Sequence, residues 1–174
     1  ALRRSAVITF DDGYVETATV AWPILREFGF PAAVFVTPGE VGLPGFATWD
    51  QLLDMSQDAI TIGSHTMHHS YLPLVSEDRL PEELVQSKAV IEQRIGRPVR
   101  YLSYPIGGYT PRSQALAQQA GYQAAFTTNR GVSRAVDRYA LRRIKATERD
   151  ANPLLLQVKI SGYYDCFRAL KRPA

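Results

Sequence analysis

Short apolar, β-branched runs alternate along this chain with longer amphipathic stretches. Residues 6–10 (AVITF) predict a buried strand. Residues 15–28 predict a helix with Val20, Ile24, Leu25 and Phe28 on one side, Gly29 as its stop, and a kink or late start at Pro23. Residues 32–37 are the second strand. Residues 38–46 hold three Gly and two Pro and predict a loop. Thr48 is placed to cap a short helix carrying Trp49, Leu52, Leu53 and Met55. Residues 59–63 give a third strand and 65–75 a polar loop. Ser76 then opens a long helix to about Ile95, with Val85, Ala89 and Glu92 on one face and Leu84, Lys88 and Ile91 on another. Residues 99–104 and 123–127 are further strands, separated by a helix that starts at Thr110 or Pro111 and ends near Gly121. Residues 139–144 are a candidate sixth strand. Asn152 and Pro153 open a final helix as cap and first residue.

Strand–helix alternation implies an α/β fold with parallel strands joined by right-handed crossovers. Strands that are apolar throughout belong to a sheet covered on both faces or closed into a barrel. Both architectures place functional loops at the C-terminal ends of strands. The polar clusters follow that rule: Asp11-Asp12 after the first strand, residues 65–69 after the third, residues 105–109 after the fourth. No repeat, low-complexity tract or linker divides the chain, so residues 1–174 read as one domain. The first residues, ALRRSAV, contain neither an initiator Met nor a signal-peptide pattern, and further sequence is expected upstream.

Composition narrows the picture. Hydrophobic residues at 45% and charged residues at 21% are ordinary for a globular domain, and no apolar run is long enough to span a bilayer. The net charge of +3 gathers in Arg142, Arg143, Lys145, Arg168, Lys171 and Arg172. This reads first as a solvated basic face, with a phospholipid or anionic polymer as the competing partner. No nucleic-acid recognition motif accompanies the charge, which argues against nucleic acid. Cys166 is the one cysteine and lies far in sequence from every histidine, so it reads as a packed thiol rather than a nucleophile. Oligomeric state is not legible.

Two clusters carry chemistry. In TFDDG (9–13) two adjacent carboxylates end an apolar strand, an arrangement that is costly unless something compensates them. Alone, this cluster reads more readily as a strand-end turn with a helix cap. In HTMHH (65–69) all three histidines of the protein fall together, and His65 and His69 share a face if the loop makes a helical turn. Asp12 with His65 and His69 forms a plausible three-ligand set for a divalent ion, leaving positions for water and substrate, while His68 points elsewhere. Such an ion lowers the pKa of water toward neutrality, and the spare carboxylate, Asp11, can take the proton. The oxyanion that forms needs a backbone N–H donor.

TFDDG together with HTMHH resembles the first two motifs of the NodB-like polysaccharide deacetylases, carbohydrate esterase family four. The resemblance continues through Gly29 to Val36, through Tyr104-Pro105-Ile106-Gly107 and through Leu141-Arg142-Arg143-Ile144. It implies a distorted (β/α) barrel of about five to seven parallel strands and hydrolysis of N-acetyl groups on N-acetylglucosamine-type sugars. It also implies Asp11 as general base and Asp12, His65 and His69 as ligands to zinc, or to cobalt or nickel. By the same alignment the Ile106 N–H is the oxyanion donor, and Tyr104, Pro105, Gly107 and Tyr109 line the substrate site.

Two departures stand out. Ser103 occupies the place of the Arg that pairs with the catalytic Asp in the family's third motif, and the Tyr-Pro-x-Gly form is similar to the poly-N-acetylglucosamine deacetylase branch. Arg143 is then the expected replacement. Arg142 and Arg143 should face opposite ways on a strand, so one enters the cleft. The late His that serves the family as general acid is also missing. The acid is expected from upstream sequence, from His68, or from solvent or Asp11. Two rival readings remain: a glycan-binding member of the fold without turnover, and a hydrolase of O-acetyl esters or cyclic amides. A carbohydrate polymer as substrate implies a periplasmic or cell-surface location.

Overall fold

The computed structural model describes residues 6–128 and 137–161. Cys166, Arg168, Lys171 and Arg172 lie outside them. Six parallel strands run β1 (Ile8–Phe10), β2 (Ala32–Val36), β3 (Ile60–Ser64), β4 (Tyr101–Ser103), β5 (Ala124–Thr127) and β6 (Leu141–Arg142), each paired with the next in chain order. Sequential order belongs to a singly wound barrel and excludes a doubly wound sheet, whose order reverses at a switch point. The strands form a curled half-barrel. β1 and β6 stand at its two ends, yet the side chain of Arg143, just past β6, reaches Thr9 and Asp11 at the end of β1.

Five α-helices are described: α1 (Trp22–Glu27), α2 (Trp49–Gln57), α3 (Ser87–Ile95), α4 (Pro111–Gln119) and α5 (Pro153–Ile160). Their starts follow local chemistry. Thr48 and Thr110 each form a capping box, with Gln51 and Ser113, and the Asn152 side chain accepts from the N–H groups of Leu154 and Leu155. The main core lies between the sheet and the helices. Ala32, Val34 and Val36 of β2 meet it together with Ile60, Ile62, Leu52, Met55, Leu84 and Ile91. The alternate residue Phe35 faces the barrel interior, where its ring lies 5.7 Å from the Arg143 guanidinium and 5.4 Å from the ring of Phe126.

One predicted face is wrong. Of the four apolar residues expected to bury one side of the first helix, only Leu25 does so; Val20, Ile24 and Phe28 are exposed. A wide π-type turn over Thr17–Ala21, closed by the Trp22 N–H on the Thr17 carbonyl, precedes α1 and absorbs one extra residue ahead of Pro23. Ala18 and Leu25, seven residues apart and so on one face of a helix, meet the core, while Val20, Ile24 and Phe28 at four-residue spacing form the neighbouring, outward face.

Candidate metal centre and catalytic cleft

Every chemically interesting side chain stands at the C-terminal end of a strand. Asp11 and Asp12 follow β1, His65 follows β3, the turn Pro105–Gly107 follows β4, and Arg143 follows β6. Gly13 makes the close turn possible. It has φ 77°, its N–H donates to the Asp11 carbonyl at 2.9 Å, and a Cβ there would lie 3.0 Å from Val36 Cγ1.

Asp12, His65 and His69 converge, each offering a ligand atom within 4.8 Å of the others. The two Nε2 atoms lie 3.3 Å (His65) and 3.1 Å (His69) from Asp12 Oδ1. His65 is buried, and its Nδ1 lies 2.7 Å from the Ser103 carbonyl. That carbonyl can only accept, so Nδ1 carries the proton and Nε2 presents its lone pair to the cleft, the arrangement a metal-binding imidazole requires. One carboxylate and two imidazoles with open positions fit zinc or a neighbouring divalent ion. When Nε2 of His65 carries a proton as well, its hydrogen bond to Asp12, with help from His69 and Tyr14, holds the Asp12 carboxyl below its usual range despite burial.

Among the described residues, the non-glycine positions with left-handed φ are Asp12 (71°), Thr66 (68°), His69 (56°) and Ile106 (58°). Each such residue costs roughly 1–3 kcal/mol of local strain, and that strain collects at functional sites. All four lie in the loops that build this cleft.

Asp11 does not join the ligand set. Its two oxygens receive a fork from Arg143, Nη1 to Oδ1 at 2.7 Å and Nη2 to Oδ2 at 2.5 Å. Nη2 also donates to Ser103 Oγ at 2.8 Å and Nη1 to Thr9 Oγ1 at 3.2 Å. Arg143 therefore spans the half-barrel between the rings of Phe35 and Phe126. Ser103, standing where the family motif carries Arg, accepts from the guanidinium that arrives from another strand. Arg142 is exposed, as alternation demands. The composition reading that counts Arg143 among a solvated basic face is thus corrected: its side chain is 14% exposed and lies in the cleft.

The third motif needs a second correction. Tyr104 is fully buried, with its ring stacked on Tyr109 at 5.1 Å, and Pro105 and Gly107 are buried too. The Tyr104 side chain cannot meet a substrate. Burial raises its phenol above the usual range, and the hydroxyl has no hydrogen-bond partner among the described residues. These residues shape the turn instead. The part that reaches solvent is Ile106, 69% exposed, whose carbonyl accepts from Thr128 Oγ1 at 2.9 Å. Ile106 and Tyr109, with Tyr71, Pro73 and Gly108, line a shallow groove of about 350 Å³. Gly108 lets the Tyr71 ring lie close against the backbone there, because a Cβ would lie 2.1 Å from that ring and would have to push it aside.

His68 stands apart from the ligand set. Its Nδ1 lies 3.2 Å from the Glu83 carboxylate and its Nε2 3.9 Å from Glu82. Sequence reasoning missed three residues of this region. Tyr14 hydrogen-bonds Asp12, whose charge raises the Tyr14 phenol above its usual range, and it stacks on Phe46 at 5.3 Å. Its only signal is its place directly after the Asp-Asp-Gly turn. Tyr71 gives no signal beyond its nearness to the histidines. Glu83 gives a clear one: it lies in the stripe formed by Leu80, Leu84, Ile91 and Ile95, where a carboxylate is out of place.

A half-barrel of parallel strands with an Asp-His-His set and an Arg-clamped Asp at its open end defines a (β/α)-barrel protein with a hydrolase-type cleft. A model of the polysaccharide deacetylase family matches residues 2–125, and the chain belongs to that family. It is 32% identical over 145 residues to the polysaccharide deacetylase homologue YxkH of Bacillus subtilis (strain 168), covering 83% of this chain and 52% of that protein. It is 25% identical over 139 residues to the poly-beta-1,6-N-acetyl-D-glucosamine N-deacetylase of Staphylococcus aureus (strain MRSA252), covering 72% and 48%. Among solved structures, the Streptococcus pyogenes deacetylase PplD in complex with acetate superposes with a TM-score of 0.81 at 28% identity, over 87% of this chain and 68% of that one. IcaB from Ammonifex degensii gives 0.75 at 26% identity, over 88% and 72%. The chain spans about half the length of the curated relatives it matches. No helix among the described residues is long and apolar enough to cross a membrane.

Proposed function

We propose that this cleft hydrolyses N-acetyl groups on an N-acetylglucosamine-type polysaccharide or oligosaccharide. The carrying observation is the bidentate Arg143–Asp11 pair beside the convergent Asp12, His65 and His69. The last three would hold a divalent ion, zinc first and cobalt or nickel as alternatives. When bound, the ion supplies Lewis acidity and acidifies water. The names of the Staphylococcus aureus enzyme and of a peptidoglycan-N-acetylglucosamine deacetylase from Bacillus cereus support the substrate class.

In this reading Asp11 takes the proton from the attacking water. Each carboxylate oxygen has two lone pairs, so the fork from Arg143 leaves one free on each. Arg143 fixes the plane of the Asp11 carboxylate through both oxygens, the task that falls to another Arg in the family motif. The Ile106 peptide, turned by its left-handed backbone, is assigned the N–H that meets the developing oxyanion. The sugar rests in the groove of Tyr71, Ile106 and Tyr109. His68 is engaged by Glu83, so Asp11, once protonated, is the described residue best placed to return a proton to the leaving amine. A polymeric substrate implies action in the periplasm or at the cell surface.

The test is acetate release from chito-oligosaccharides, poly-N-acetylglucosamine and an acetyl ester, with and without chelator. Chelator-sensitive release from the N-acetylated sugars is expected. Release from the ester alone would move the activity to O-acetyl groups, and binding without release would make the cleft a glycan receptor. Arg143→Lys should lower kcat about 10- to 100-fold, the scale for partners that orient an active-site group. Lysine keeps the charge but loses the planar fork that spans both Asp11 oxygens. Unchanged kcat in that variant would mean that the fork does not orient the base.

A further inference from the structure

We infer that Glu83 is a positioning residue for the metal-binding loop, acting on His69 from outside the ligand set. The inference rests on Asp12, His65 and His69 being the ligands.

Glu83 is 1% exposed on a helical stripe that is otherwise apolar, and a carboxylate there must be fully compensated. The compensation comes entirely from the loop between and just beyond the two imidazoles. Oε2 accepts from the N–H groups of Met67 and His68, each at 3.0 Å, and Oε1 accepts from Ser70 Oγ at 2.7 Å and faces His68 Nδ1 at 3.2 Å. The residues before and after His69 are therefore both pinned to one rigid carboxylate. His69 has a left-handed φ of 56° and Thr66 one of 68°, so the loop does not hold this shape by its own preference. Burial works against the charged form of Glu83, but the hydrogen bonds from Ser70 and His68 outweigh it and keep the carboxyl below its usual range.

The helix is shaped for this contact. Glu83 lies in a second π-type turn, Glu82–Gln86, ahead of α3, and such turns recur at functional sites. One turn on, Ser87 Oγ lies 2.7 Å from the Glu83 carbonyl and 3.0 Å from Ser64 Oγ, which accepts from the Thr66 N–H at 3.2 Å. The loop is thus held at its start through Ser64 and around His69 through Glu83. A tie that served only to attach helix to loop would not need to bracket a ligand on both sides.

The test compares wild type, Glu83→Gln and Ser70→Ala for Co(II) affinity by chelator competition, the visible Co(II) spectrum, and thermal unfolding of the metal-free protein. In Glu83→Gln the charge is lost and an amide NH2 replaces one acceptor: it either faces the Met67 and His68 N–H groups or takes the place of Oε1 and must reverse the bonds to Ser70 and His68. Co(II) affinity should fall about 10- to 100-fold with an altered spectrum, the scale seen when outer-shell partners of a metal site are removed. Ser70→Ala keeps both backbone bonds, so it is the variant to read if Glu83→Gln does not fold; it should weaken binding in the same direction by a few-fold. Affinity and spectrum unchanged in the folded variants, whatever their thermal stability, would overturn the proposal and leave Glu83 as a structural tie. Wild-type protein that takes up no Co(II) would overturn the metal reading and this proposal with it.

Discussion

Asp11→Asn is expected to keep the metal and to lower kcat by about 10²–10⁴, the usual contribution of a general base. The geometry separates the two effects. Asp11 meets Arg143 with both oxygens, whereas the convergent donors are Asp12, His65 and His69. The substitution therefore leaves every ligand atom in place. Asn can still accept from one guanidinium nitrogen, but its NH2 faces the other, so one arm of the fork is lost along with the charge. Metal content by elemental analysis and kcat on an N-acetylated oligosaccharide give the two readouts. Full activity would remove Asp11 from its assigned role, and loss of metal would place it among the ligands.

His69→Ala is expected to remove both bound metal and nearly all activity, while His68→Ala retains stoichiometric metal. The neighbours differ in what they face. His69 Nε2 points to Asp12 Oδ1 at 3.1 Å, with its ring edge-on to His65 at 4.9 Å. His68 turns the other way, toward Glu82 and Glu83. A three-ligand site that loses one imidazole keeps too few protein donors to hold zinc firmly. If His68→Ala loses the metal and His69→Ala keeps it, the loop has been assigned in the wrong phase.

Much of this arrangement is legible in the sequence because it depends on local patterns. β2 and β3 are apolar runs bounded by turn residues, and the caps at Thr48, Thr110 and Asn152 stand one residue ahead of their helices. The Asp-Asp-Gly and His-x-x-x-His clusters declare themselves by composition at strand ends. What escapes is set by geometry that periodicity does not encode. In the first helix the buried face passes through Ala18 and Leu25, and Val20, Ile24 and Phe28, apolar but on the neighbouring face, point outward, so apolar character alone picked the wrong side. A π-type turn carries Glu83, whose buried carboxylate makes sense only once the loop at 67–70 is seen to lie over it. Tyr104 looked like a substrate contact because it belongs to a motif, but stacking on Tyr109 seals it into the core. The Arg143–Asp11 pair joins positions 132 residues apart. No local pattern reaches that far; the expectation came from the family resemblance, and its physical content is that the half-barrel brings the end of β6 back to β1.

The central claim is that Asp12, His65 and His69 hold one divalent ion with Asp11 beside it and outside the ligand set. Anomalous scattering at the zinc edge from crystals of the zinc-loaded protein tests this directly. The account predicts a single strong peak near these residues, about 2.0–2.2 Å from one Asp12 oxygen and from the Nε2 atoms of His65 and His69, with Asp11 still on Arg143. A peak ligated by Asp11, or stoichiometric zinc bound elsewhere while these three side chains stay empty, would contradict it.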